Sequence, residues 1–342
     1  MQNKYSIDQR TGVNRRQILQ LAPAAAIATA MAGCSDSPPP AGVPLSNFGY
    51  RSSAEEVTAG IDLSGKTALV TGCNSGIGYE TMRVLALRGA HVYGTGRTLE
   101  KAQLACSSVA GTTTPLAIEL TNLDSVVSAA ARVKADGAPL DIIICNAGIM
   151  ELPELEQVNG IEKQFYVNHL GHFVLVNQLL EQLLAAPQGR VITVSSGRAT
   201  AAVAPEGIQF DNLSGERDYD PALAYGQSKL ANALFTLELA RRTPDTNLTA
   251  NSLRPGVIST NLGRHMPKWK VVALDTVGKV FTKTIAEGAA TSCYVATAPA
   301  LSQVSGYFFD HSNPVHAGGY TEDAEMAKRL WNVSEELTAA YI

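Results

Sequence analysis

Residues 66–78, KTALVTGCNSGIG, decide the fold. The first six are mostly apolar or β-branched, which is typical of a short buried strand, and helical spacing of apolar residues follows the glycines. Gly72 permits a sharp exit from the strand, Gly76 lets the backbone approach an anion, and Gly78 lets the helix pack closely on the sheet. Such a turn, here spaced GxxxGxG, predicts a pyrophosphate bound at the helix N-terminus. The loop residues predicted to bind a dinucleotide are Gly72, Asn74, Ser75, Gly76, Ile77 and Gly78.

The rest of the chain alternates short apolar runs with helical patterns. The remaining predicted strands are 91–94, 115–120, 140–144, 189–194 and 248–253, and the remaining predicted helices are 99–109, 122–135, 160–185 and 223–242. This alternation predicts an α/β fold, a doubly wound parallel sheet of the Rossmann type. We assign it to a single domain over residues 61–342, since single α/β domains often reach about 250 residues or more.

Composition excludes several classes of protein. Of the 342 residues, 45% are hydrophobic and 17% are charged, which is unlike an intrinsically disordered chain. Lysine and arginine number 27 and aspartate and glutamate 31, so the net charge is 27 − 31 = −4. No basic run is present to neutralise phosphates, so we expect no nucleic-acid partner.

The N-terminus has the layout of an export signal over residues 1–33. Arg15 and Arg16 precede a short apolar stretch, and this order resembles a twin-arginine signal. Cys34 ends a sequence that resembles a lipobox, so a lipid anchor on Cys34 is expected, with a Pro-rich tether over 34–60. The expected location is the periplasmic side, anchored to the membrane. The alternative is a disordered extension of a cytoplasmic protein.

The second predicted strand runs into Gly94-Thr95-Gly96-Arg97. An acidic residue at this point would bind the ribose 2′-hydroxyl of NAD, and none occurs from 91 to 97. Arg97 offers a fixed charge for a 2′-phosphate instead. The cofactor predicted from this position is NADP, and the alternative is a solvated surface arginine.

Five polar residues are predicted to meet at the carboxyl edge of the sheet. Tyr225 and Lys229 are spaced i,i+4 on one helix face, and a nearby ammonium favours a phenolate. Ser196 follows an apolar strand, at the edge where ligands bind in open α/β folds. Asn146 ends the preceding strand, and Asn168 lies in the helical pattern between them. Phenol, hydroxyl, amine and amide would suit proton exchange with a substrate oxygen.

Together these motifs resemble the short-chain dehydrogenase/reductase superfamily, and within it the retinol-dehydrogenase-like branch. The resemblance covers about residues 62–340. The segments that carry it are TGCNSGIG at 71–78, CNAG at 145–148, NHLGHF at 168–173, VSS at 194–196, YGQSKLAN at 225–232, RPGVIST at 254–260, GAATSCYVATAP at 288–299 and SGYFFD at 305–310.

The resemblance implies a role for each site residue. Tyr225 would be the acid–base group, Ser196 would polarise the carbonyl, Lys229 would bind the nicotinamide ribose, and Asn168 would hold a water in a relay to Lys229. The implied cofactor contacts beyond the glycine loop and Arg97 are Glu119, Leu120, Asn146, Ala147, Gly148, Tyr225, Lys229, Pro255, Gly256, Val257 and Thr260. Glu119 stands where the family usually has Asp, and Cys145 stands where the branch usually has Asn.

The expected function is hydride transfer between NADP(H) and an alcohol or carbonyl substrate of apolar character. One alternative is a non-catalytic NADP-binding sensor or scaffold at the membrane, and another is a sugar-nucleotide epimerase or dehydratase. No metal site is expected, because His169 and His172 have no third ligand at a suitable spacing. A homodimer is left open.

Overall fold

The computed structural model describes residues 38–258 and 282–342. Its main sheet has the strand order β10-β9-β8-β7-β4-β1-β2-β3, and β5 and β6 form a separate hairpin. The strands are β1 Thr67–Val70, β2 His91–Gly96, β3 Thr113–Ala117, β4 Ile142–Cys145, β5 Gln157–Val158, β6 Ile161–Glu162, β7 Gly189–Val194, β8 Leu248–Arg254, β9 Phe308–Asp310 and β10 Asn313–Val315.

Helices flank the sheet. The α-helices are α1 Ala54–Val57, α2 Gly76–Leu87, α3 Leu99–Ser107, α4 Leu123–Ala135, α5 Lys163–Phe165, α6 Gly171–Gln178, α7 Leu180–Ala185, α8 Arg198–Ala201, α9 Pro221–Arg242, α10 Ile285–Thr297 and α11 Ala324–Thr338. A π-helical turn, Tyr166–Leu170, joins α5 to α6, and a 3₁₀ turn, Pro299–Leu301, follows α10.

The predicted fold class is confirmed. All neighbours in the main sheet pair in parallel except β9 and β10, which form an antiparallel pair at one edge. The strand order reverses direction between β1 and β4, which is where ligands bind in doubly wound sheets. Central strands such as β1, β4 and β7 are buried along their whole length, as expected for a parallel sheet covered on both faces.

The single helix predicted over 160–185 is wrong in detail. The segment begins with the β5–β6 hairpin, whose turn places Asn159 at φ +51° and Gly160 at φ +77°. The side chain of Glu162 then accepts the N–H of Phe165 and starts the helix. The backbone widens into the π-turn at Tyr166–Leu170, and the helix breaks at Leu179. Apolar spacing does not distinguish these backbone forms, because all of them present similar faces to the core.

The predicted tether is also wrong for the part that the structure describes. Val43, Ala54 and Val57 are buried in the domain core. The side-chain oxygen of Asn313 accepts the N–H of Ser46 at 2.9 Å, so β10 holds this segment. Ser53 and Glu56 form a capping box that starts α1. The domain therefore begins well before residue 61, because Val43, Ala54 and Val57 pack into its hydrophobic core. The predicted signal 1–33 and Cys34 lie outside the described residues.

Cys73, Cys106, Cys145 and Cys293 are free and buried. Burial raises the pKa of each thiol, so these cysteines are packing residues. Within residues 38–258 and 282–342, no helix is both long enough and apolar enough to span a bilayer.

Candidate active site

The glycine loop connects β1 to α2 and leaves the helix N-terminus open. Gly72 and Gly76 adopt φ +73° and +61°, which side chains other than glycine rarely adopt. A Cβ on Gly78 would lie 2.4 Å from Asn146 Nδ2 and 2.4 Å from the Gly72 oxygen. The Ser75 side chain makes no capping hydrogen bond, and the first turn of α2 has no acidic residue. Free N–H groups at a helix end without negative charge suit a pyrophosphate.

The residues after β4 pack directly on this loop. Asn146 Nδ2 donates to the Thr71 oxygen at 2.8 Å. The Thr71 hydroxyl accepts the N–H groups of Asn146 and Ala147, both at 2.9 Å. A Cβ on Gly72 would lie 3.1 Å from Ala147. The two predicted cofactor loops therefore form one surface at the carboxyl edge of the sheet.

His172 fixes Thr71 from the other side. Its Nε2 lies 2.9 Å from the Thr71 hydroxyl, and its Nδ1 lies 3.0 Å from the carbonyl oxygen of Asn168. Burial lowers the pKa of His172 to about 4, so the ring is neutral at pH 7. A carbonyl only accepts, so Nδ1 carries the proton, and Nε2 accepts from Thr71. The sequence analysis did not identify His172 as a site residue. Its i,i+4 spacing from Asn168 is the signal that could have indicated this contact.

Ser196 and Tyr225 meet at the end of β7. The hydroxyl of Ser196 faces that of Tyr225 and favours its phenolate form, and it accepts the N–H of Arg198 at 3.2 Å. Ser195 points elsewhere and donates to the Lys229 carbonyl at 2.7 Å. Successive side chains of an extended strand point in opposite directions, so only one serine reaches the phenol. A carbonyl oxygen placed between Ser196 and Tyr225 would have two donors.

Burial controls the ionisation of Tyr225 and Lys229. Burial raises the pKa of Tyr225 to about 12, and the hydrogen bond with Ser196 offsets only part of this. Burial lowers the pKa of Lys229 to about 8, against the opposing influence of Cys145. The Lys229 ammonium lies 5.8 Å from the centre of the Tyr225 ring and donates to the Val194 oxygen at 2.9 Å. We expected Lys229 to lower the pKa of Tyr225; the cation that lowers it is Arg198 instead, and burial outweighs that influence.

The π-turn brings Asn168 to the same place. Its Oδ1 accepts the Ile149 N–H at 2.9 Å, and its Nδ2 lies 2.9 Å from both the Ile149 carbonyl and the Ser228 hydroxyl. A Cβ on Gly148 would lie 3.0 Å from Asn168 Oδ1 and 3.5 Å from Lys229 Nζ. Gly148 therefore allows the amide and the ammonium to approach one another across the loop.

The ends of β2 and β3 carry the residues predicted to contact the adenosine. Arg97 is exposed, and no carboxylate in the described part of the chain pairs with it. The Glu119 carboxylate accepts the hydroxyl of Thr121 at 2.9 Å. Leu120 is buried against Gly171. Contacts of these three residues with a cofactor stay predictions.

Pro255, Gly256 and Val257 follow β8 at the same edge. Gly256 adopts φ +91°, and its backbone packs on the Lys283 side chain. The N–H of Lys283 donates to the Val257 oxygen at 2.8 Å, which holds the turn. The predicted contact Thr260 lies outside the described residues.

The arrangement suits proton exchange beside a bound dinucleotide. Asn146, Gly148, Asn168, Ser196, Tyr225 and Lys229 are linked by the contacts described above, and they lie next to an open helix N-terminus. No group of three or more His, Cys, Asp or Glu side chains in the described ranges is placed to hold a metal ion.

Comparison with known proteins identifies the family and the fold. The family model for short chain dehydrogenase matches residues 66–207. Human retinol dehydrogenase 13 is 40% identical over 285 residues, covering 80% of this chain and 85% of that protein. A crystal structure of a putative uncharacterized protein from Mycobacterium paratuberculosis superposes with TM-score 0.66 and 33% identity, covering 83% and 97% of the two chains.

A more distant structure shares the fold. It is a putative NAD(P)-dependent gluconate 5-dehydrogenase from Beutenbergia cavernae, described with bound NADP; the TM-score is 0.57 and the identity 24%, over 73% of this chain and 96% of that one. Fold, site geometry and sequence identity lead to one assignment. The chain belongs to the short-chain dehydrogenase family and is an oxidoreductase of that family.

Proposed function

We propose that this protein transfers a hydride between NADP(H) and an alcohol or carbonyl substrate, with Tyr225 as the acid–base group. The observation that carries the proposal is the placement of the Ser196 hydroxyl beside the Tyr225 hydroxyl, next to Lys229 and the open N-terminus of α2. These groups come from distant parts of the chain, and a purely structural role does not require them to meet.

The chain's own residues handle the oxygen and its proton. When bound, NADPH supplies the hydride. Ser196 and Tyr225 orient the carbonyl oxygen, and Tyr225 donates its proton as that oxygen gains charge. The raised pKa of Tyr225 keeps the phenol protonated at neutral pH, which is the form that reduction requires. Lys229, beside Asn168, then stabilises the phenolate, and solvent replaces the proton that Tyr225 has given up.

The oxidative direction requires the opposite form of Tyr225. The phenolate must be present to accept the alcohol proton, so the rate of alcohol oxidation rises with pH above neutrality. A positive nicotinamide ring near Tyr225 would lower the pKa of the phenol and bring this rise toward the working range.

NADP is the proposed cofactor. Gly76, Gly78 and the free first turn of α2 fit a pyrophosphate, and exposed Arg97 at the end of β2 fits a 2′-phosphate. The distant relative described with bound NADP supports the same choice. The proposed substrate is apolar, and the name of retinol dehydrogenase 13 supports this.

The decisive experiment follows NADPH absorbance with retinal, hexanal and cyclohexanone as substrates. We expect Tyr225→Phe to lower the turnover number about 100- to 10,000-fold, the usual contribution of a general acid. Tyr166→Phe is the matched control, because it removes a buried phenol whose hydrogen-bond partner among the described residues is Asn159. Equal turnover by Tyr225→Phe and wild type would end the proposed mechanism.

Arg97→Asp tests the coenzyme. An aspartate repels the 2′-phosphate and accepts the 2′-hydroxyl, so we expect the ratio of kcat/KM for NADPH to that for NADH to fall about 100-fold or more. An unchanged ratio would refute the choice of NADP.

We also propose export and a lipid anchor on Cys34, supported by the order of charge, apolar stretch and cysteine in residues 14–34. Cys34→Ala should move the protein from the membrane fraction to the periplasmic extract. Recovery of both forms in the cytoplasmic fraction would favour the cytoplasmic alternative.

A further inference from the structure

An ion pair lies beside the reacting groups and has no part in the mechanism above. Glu151 follows β4 by six residues, and Arg198 begins α8, just after Ser196. Arg198 Nη2 lies 3.2 Å from Glu151 Oε1. The carboxylate is 8% exposed and the guanidinium side chain 43%, so the pair spans from the interior to the surface.

The backbone at Glu151 and at Arg198 is held in place by its surroundings. Glu151 adopts φ +48°, a strained conformation for a residue with a side chain, which persists only where surrounding contacts impose it. The N–H of Arg198 donates to the hydroxyl of Ser196. A Cβ on Gly226 would lie 2.9 Å from the Arg198 oxygen, so the start of α8 rests directly on the residue after Tyr225.

Both charges act on the phenol. Arg198 favours the phenolate of Tyr225, and Glu151 disfavours it. From its own helix, Tyr225 also faces Lys229. Cys145 on β4 and His172 on α6 lie near Lys229; burial keeps the thiol protonated and the imidazole neutral. Glu151 and Arg198 are therefore the charges that other elements bring to Tyr225 in the described part of the chain.

We propose that Glu151 and Arg198 are positioning residues that tie the loop after β4 to the Ser196 turn and balance the charge beside Tyr225. The pair is neutral overall, so the two charges offset one another at Tyr225. Removing either partner alone breaks this balance, and the two removals act in opposite directions. The inference rests on the proposed function, in which Tyr225 carries the proton.

The test is a titration of Tyr225 itself and needs no substrate. The protein is labelled with ¹³Cζ-tyrosine, and Tyr225→Phe identifies the resonance in the NMR spectrum, with and without added NADP⁺. We expect Glu151→Gln to lower the titration midpoint by about 0.5 to 1 pH unit and Arg198→Met to raise it by a similar amount. The double variant should return close to the wild-type midpoint.

The control is a second ion pair, in the segment between α8 and α9. Arg217 and Asp211 lie 2.8 Å apart, and both are exposed. Asp211→Asn with Arg217→Met should leave the midpoint unchanged. If Arg198→Met does not fold, Arg198→Lys keeps the charge and should hold the midpoint near that of wild type.

The outcomes separate this inference from the proposed function. Midpoints that stay at the wild-type value, or that move in the same direction in both single variants, overturn the inference even if Tyr225→Phe is inactive. Opposite shifts with full turnover by Tyr225→Phe would instead retain the electrostatic role and overturn the catalytic one.

Discussion

The helical segment 163–178 has two faces that bury similar residues for different purposes. One face presents Asn168 and His172 to the crevice, where they bond to the loop after β4 and to Thr71. The adjacent face presents Phe165, His169 and Phe173 to α9 and α11. On this second face the rings of Phe173 and Trp331 lie 5.1 Å apart, and those of Phe235 and Trp331 stack at 5.7 Å.

His169 and His172 show what the difference teaches. Both are buried, and burial lowers the pKa of His169 to about 3 and that of His172 to about 4. His172 bonds to groups that shape the site, whereas His169 Nε2 lies 2.8 Å from the Ser334 hydroxyl of the C-terminal helix. Residue type and burial do not distinguish these roles; the neighbours do. We therefore expect substitutions on the aromatic face to change stability, and substitutions on the crevice face to change turnover.

The largest effect is expected on the aromatic face. Trp331→Ala removes a ring that contacts Phe173, Phe235 and the guanidinium of Arg242. We expect the free energy of unfolding to fall by about 3 to 5 kcal/mol, measured by urea titration. The turnover number at 20 °C should stay within about twofold of wild type, because the folded fraction keeps its crevice. A large loss of turnover in folded protein would break the comparison.

The next effect is expected on the crevice face. Asn168→Ala removes the bonds that hold Ile149, so the loop after β4 shifts relative to Lys229. A displacement of about 1 Å costs about 100-fold in turnover, which NADPH absorbance would measure. Asn177→Ala is the matched control on the same segment, since the side chain of Asn177 donates to the Phe173 carbonyl of its own helix. Similar turnover in the two variants would contradict a special role for Asn168.

The smallest effect is a change in the pH dependence of stability. The folded pKa of His169 is depressed, so between about pH 6.5 and 3 the unfolded chain binds a proton that the folded chain does not. Stability is therefore present above about pH 6.5 and lost as the pH falls. His169→Phe removes this pH-dependent contribution to stability, and the new ring can pack against the surrounding aromatic rings. Between pH 6.5 and 5 the variant should lose about 2 kcal/mol less than wild type. Parallel urea curves for both proteins at the two pH values would contradict the assignment.

Local sequence patterns predicted most of the fold because strands and helices repeat every two or 3.6 residues. They missed the hairpin and π-turn before α6, where the apolar spacing continues while the backbone changes form. They also missed the packing of residues 43–60, although Ser53 and Glu56 already had the spacing of a capping box. Proline content outweighed that signal in our reading.

The sequence also predicted a large part of the site. The residues at strand ends and on one helix face were found, because spacing and strand position place them at the carboxyl edge. Thr71, His172, Glu151 and Arg198 were not found as site residues. Each acts through a contact with a residue far away in the chain, and no local spacing reports such a contact.

The sequence by itself determined the alternation of strands and helices, the glycine loop and the set of polar groups at the sheet edge. Short-range sterics and apolar periodicity encode all three. Only the tertiary structure decided how Ser195 is held away from Tyr225, that burial sets the ionisation of Tyr225 and Lys229, and which charges stand beside Tyr225. Those properties depend on solvent exclusion and on distances between separate elements, which a linear pattern does not contain.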